Sequence, residues 1–127
     1  MTKNGKDSRP DSCTKNSSQN PSQIKIRELN DIYRKTGIGG TIVITRGIHA
    51  LEATTRQSIV EAIREVKEFT PDNDPYGTHD FGSVKVKEHL IFWKIDYYAL
   101  DLIYGSPDPS DPNITKRVMT IMLAEEY

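Results

Sequence analysis

A chain of 127 residues has room for one domain, and its single cysteine, Cys13, excludes a disulfide framework. Hydrophobic residues make up 35% and charged residues 28%, a mixture that suits a modest soluble core. The apolar runs are far too short to span a membrane, and no apolar stretch follows the first lysines as a secretory signal requires. A reducing, cytoplasmic setting is therefore expected.

The net charge of -1 conceals an uneven distribution. Residues 1–23 are weakly basic, whereas Thr70 to Pro112 sets eight acids (Asp72, Asp74, Asp80, Glu88, Asp96, Asp101, Asp108, Asp111) against three lysines, a local net of -5. An acidic region opposes phosphate backbones, so nucleic-acid binding by the folded body is disfavoured.

In chain order, the first 23 residues hold only Met1 and Cys13 from the hydrophobic class, so residues 1–22 read as a disordered polar tail and 23–127 as a single domain. From Gln23 to Thr36, Ile26, Leu29, Ile32 and Tyr33 recur at helical spacing, with Ser22 placed to cap the start and Gly37 to stop the helix. Thr41 to Thr45 is a β-branched run that predicts a strand buried on at least one face. A second helix is expected near Thr54, where Thr54 and Gln57 have capping-box spacing, with Ile59, Ile63, Val66 and Val60 inward and an end before Pro71.

Ser83 to Tyr98 predicts a β-hairpin turning near Glu88 and His89. Along its second strand Ile91, Trp93, Ile95 and Tyr97 point to one face, and Leu90, Phe92, Lys94, Asp96 and Tyr98 to the other. A short strand is expected at Leu102 to Tyr104, then a loop broken by Pro107, Pro109 and Pro112. Thr115 to Ala124 is compatible with helix or strand; Val118, Thr120 and Ile121 favour a strand preceded by a short helical turn. The order of elements predicts an α+β fold: a mainly antiparallel sheet of about four to five strands, packed with two helices on one face.

Candidate chemistry concentrates between Thr70 and Tyr98. Asp72, Asp74 and Gly77 suggest the start of a calcium loop, but Pro75 and Tyr76 intrude and Ser83 stands where a bidentate glutamate belongs. The expected role of these aspartates and Asn73 is to cap turns. His79 beside Asp80 could serve as a general base or metal ligand, joined by Lys94 and Asp96, with Asp101 in reach, if the loop folds over the polar end of the strand. Candidate metal ligands are then Asp72, Asp74, His79 and Asp80. Phe92, Trp93, Tyr97 and Tyr98 read as packing residues before base-stacking ones, and His49 and His89 have no partner at ligand spacing. Gly37, Gly39 and Gly40 precede a strand, so they do not form a phosphate cradle.

The strings TPDNDPYGTHDFG from Thr70, FWKIDYY from Phe92, GSPDP from Gly105 and TIMLAEEY at the end, with LNDIYRKTGIGG from Leu29 and TRGI from Thr45, resemble a bacterial family catalogued as domain of unknown function 3768. The resemblance implies a small bacterial protein, often associated with plasmids or phages, and brings no activity, cofactor or catalytic residue. The expectation is a non-enzymatic module that presents acidic, proline-rich loops to another protein, without cofactor or membrane. The alternative is a small metal-dependent hydrolase using His79, Asp80 and Asp96. Oligomeric state is not fixed by the sequence, since an exposed strand edge can pair with a second chain but need not.

Overall fold

The structure, a computed structural model, describes residues 20–127. The tail expected over residues 1–22, with Cys13, lies almost wholly outside the described residues. Helix α1 runs over Pro21–Thr36 and starts earlier than Ser22 capping would give. Asn20 is the cap: its side chain accepts from the Gln23 amide at 2.8 Å, and Gln23 reaches back to the Asn20 amide at 3.2 Å. Pro21, with no amide hydrogen to leave orphaned, fits the first turn. Gly37 ends the helix as expected, at φ 77°, a left-handed conformation that glycine adopts without a Cβ penalty.

Strand β1 (Gly40–Ile44) follows, then a single helical turn α2 (Arg46–His49), which the sequence reading missed. Helix α3 covers Ala53–Arg64; its cap position is Glu52, which makes no side-chain capping bond, so the Thr54–Gln57 box does not form. Strands β2 (Phe81–Val86) and β3 (His89–Tyr98) form the predicted hairpin, and Lys87 supplies the turn at φ 56°. His89 belongs to β3, opposite Val86. Strand β4 (Lys116–Leu123) resolves the ambiguous last segment as a strand, and a 3-10 turn (Ala124–Glu126) follows it.

The sheet has four strands in the order β1-β4-β3-β2. It is mixed: β2 with β3 and β3 with β4 are antiparallel, but β1 runs parallel to β4. The expected strand at Leu102–Tyr104 does not form. Asp101 accepts the amides of Ile103 and Tyr104 at 2.8 and 3.3 Å, which curls the chain, and only an isolated bridge joins Tyr98 to Gly105.

All helices cover one face. Tyr33, Ile48, Ile59 and Ile63 pack on Ile91, Trp93, Ile95, Met119 and Ile121, which alternation directs to the same side. Val60 and Val66 border this core, whereas Ile32, expected inward, is 56% exposed because α1 turns Asn30 and Arg34 to the sheet. On the far face Tyr127 packs on Phe81 and Phe92. Among the described residues no helix is long and apolar enough to cross a membrane.

Candidate functional site

Beyond α3 the chain turns on its own side chains. Asn73 accepts the Thr70 amide and hydroxyl at 3.3 and 3.1 Å, and the buried Asp74 accepts the His79 amide at 3.0 Å. That last bond holds His79 at φ 58°, in the left-handed region. The His79 ring then lies flat on Phe69, with centroids 3.8 Å apart and planes inclined by 6°. Its Nδ1 stands 2.9 Å from Asp31 on α1 and its Nε2 faces Asp74 at 3.6 Å.

Asp31 also receives Arg34 Nη1 at 2.8 Å, while Arg34 Nη2 donates to the Val66 carbonyl at 3.0 Å. The guanidinium of Arg34 sits 5.3 Å from the centroid of Phe69 and 5.8 Å from that of Trp93. Burial alone raises the Asp31 pKa, but hydrogen bonds from His79 and Arg34, reinforced by their charges, outweigh it and hold the carboxyl below its ordinary range.

Asp80 turns the other way, as the left-handed turn at His79 redirects the chain into β2. Its carboxylate accepts the Tyr97 hydroxyl at 3.0 Å. That hydroxyl also accepts Asn30 Nδ2 at 2.8 Å, and Asn30, fully buried, gives its second amide hydrogen to the Thr78 carbonyl at 2.9 Å. Arg117 completes the group: Nε donates to Asn30 at 2.6 Å, Nη2 to the Pro109 carbonyl at 2.8 Å, and the guanidinium lies 5.2 Å over Tyr97. Burial, then the Asp80 charge, pushes the Tyr97 phenol well above its usual range. Burial lowers the Arg117 pKa.

The predicted residues thus separate. His79 joins Asp74, Asp80 joins Tyr97, and Lys94 pairs with Asp96 at 3.3 Å on the sheet face away from the helices. Asp101 is engaged in its own turn. Asp72 is exposed, and among the described residues no three His, Cys, Asp or Glu side chains gather to hold a metal ion. With a carboxylate opposite each ring nitrogen, His79 directs no lone pair into an open cleft. Together the two clusters act as a polar seam that clips α1 to the loop and the sheet. Sequence reading missed Asn30, Asp31, Arg34 and Arg117; the available signal was three polar residues flanking Tyr33 on an otherwise apolar helix stripe.

The open surface lies elsewhere. Strand β1 is an edge, and Thr41, Ile42, Val43 and Ile44 are all exposed, contrary to the buried strand expected. Beside it the helices leave a groove of about 250 Å³ lined by Ile44, Ile48, Ile59, Val60 and Ile121 with Arg56 and Gln57.

A family model described as "Protein of unknown function (DUF3768)" matches residues 44–126. The chain belongs to this family. The DUF3768 span takes in Phe69, Asp74, His79, Asp80, Tyr97 and Arg117, while Asn30, Asp31 and Arg34 lie ahead of it on α1, so the seam joins the DUF3768 region to the helix that precedes it. Comparison with curated proteins and with solved structures gave no match.

Proposed function

We propose that this protein is a non-enzymatic interaction module that docks its partner along the free edge of β1. The observation that carries this reading is the run Thr41–Ile44: four consecutive exposed residues, without charge or proline, on a strand whose outer edge no other strand covers among the described residues. Such an edge offers unpaired amides and carbonyls, and a flanking groove can take a partner's side chains. The opposite edge, β2, is guarded by the exposed Lys85. The acidic loops are weaker candidates than the sequence implies, since Asp101, Asp108 and Asp111 accept backbone amides of their own turns. We read the module as a cytoplasmic bacterial accessory protein of plasmid or phage origin, in keeping with the resemblance above.

The test is affinity capture from a bacterial lysate with the wild-type chain and with Val43→Lys. A stoichiometric partner retained by the wild type and lost by the variant is expected. Capture unchanged by Val43→Lys moves the docking surface elsewhere, and divalent-metal-dependent turnover abolished by His79→Ala replaces the module with the hydrolase.

A further inference from the structure

We infer that the partner of the β1 edge is a second copy of this chain, paired antiparallel about Ile42; the inference rests on the docking edge proposed above. The backbone fixes which groups face outward. The Thr45 amide bonds the Ile121 carbonyl at 3.1 Å, and the Thr41 carbonyl accepts the Tyr33 hydroxyl, which itself accepts the Met119 amide at 3.1 Å. Residues 41, 43 and 45 therefore turn their backbone groups toward β4, and by alternation Gly40, Ile42 and Ile44 turn theirs outward.

A two-fold axis at Ile42 maps this strand onto itself. Ile42 opposes Ile42 of the partner subunit, and Gly40 opposes Ile44 of the partner subunit, so the bulkier residue meets one with no side chain. On the other face Thr41 opposes Val43 of the partner subunit, a pair of β-branched residues that suits a pleated surface.

Charge supports the same arrangement. Arg64 lies against Gly37, just ahead of β1, and none of the ion pairs among the described residues includes it. Glu126, beyond the end of β1, takes only neutral donors: the Thr45 hydroxyl at 2.6 Å, the Gly47 amide at 3.0 Å and the Leu123 amide at 2.9 Å. Antiparallel pairing brings the Arg64 end of one copy to the Glu126 end of the other. The β2 edge instead carries the exposed Lys85.

The ladder is short, so association is weak, with a dissociation constant expected at about 10–100 μM. Sedimentation velocity of the full chain across that range should show a reversible dimer. Ile42→Lys and Ile42→Glu should each weaken it by about tenfold or more, since like charges then stand directly opposite. An equimolar mixture of the two should restore the dimer. Circular dichroism matching the wild type confirms that each variant is folded, and Val43→Lys, on the face away from the helices, repeats the test if the groove-side variants unfold. A wild type that stays monomeric overturns the inference, as do variants that dimerise like the wild type or folded variants whose mixture stays monomeric. A monomeric wild type that captures a partner lost with Val43→Lys removes the second copy while leaving the docking edge in place.

Discussion

Asn30 holds more of this molecule together than its size suggests. Its carboxamide spends both hydrogens and its oxygen on groups from three separate segments, Thr78, Tyr97 and Arg117. Removing it leaves Nε of Arg117, a residue only 3% exposed, without its acceptor. Asn30→Ala is therefore expected to cost about 2–4 kcal/mol, read as a lower urea midpoint at unchanged slope, because a buried partner left unpaired costs more than the bond itself contributed. His79 shows the limit of reading at this scale. Its polar role was legible, but its partner Asp31 lies 48 positions away, and the neighbour that chain order offers, Asp80, is directed elsewhere.

Periodicity revealed α1, α3 and the hairpin, because each buries one face and so must repeat its apolar residues at that element's spacing, whereas β4 was favoured over a helix only by its β-branched residues Val118, Thr120 and Ile121. It did not reveal where β1 sits. A β-branched run suits a central or an edge strand equally, and the parallel pairing of Gly40 with Arg117 is decided by contacts distant in sequence. The segment around Leu102 failed for a different reason: its apolar residues satisfy a strand pattern, yet Asp101 captures two amides and drives Leu102 to φ 62°. A leucine pays for that conformation, whereas asparagine tolerates it. Leu102→Asn, at an exposed site, should raise stability by about 0.5 kcal/mol, measured by thermal or urea unfolding.

For the whole molecule, shifted groups bound the pH range of stability from both sides. Asp31 titrates below its ordinary value when folded, so its contribution is complete above the unfolded carboxylate pKa of about 4 and is lost as pH falls through the lower, folded value. Burial raises the pKa of Tyr33, and burial with the Asp80 charge raises that of Tyr97, so their contribution is complete below the unfolded tyrosine pKa of about 10 and falls as pH rises beyond it. Urea midpoints against pH should show a plateau with both limbs. Asp31→Asn should lower the plateau and flatten the acid limb, leaving the alkaline limb in place.

The Tyr33 hydroxyl, lodged between the Thr41 carbonyl and the Met119 amide, makes one rung of the β1–β4 ladder a side chain delivered by a helix. Both α1 and β1 precede β4 in the chain, so that rung forms only after β4 has followed them. Until β4 is in place, the uncharged run Thr41–Ile44 lacks the pairing that holds it in sheet register.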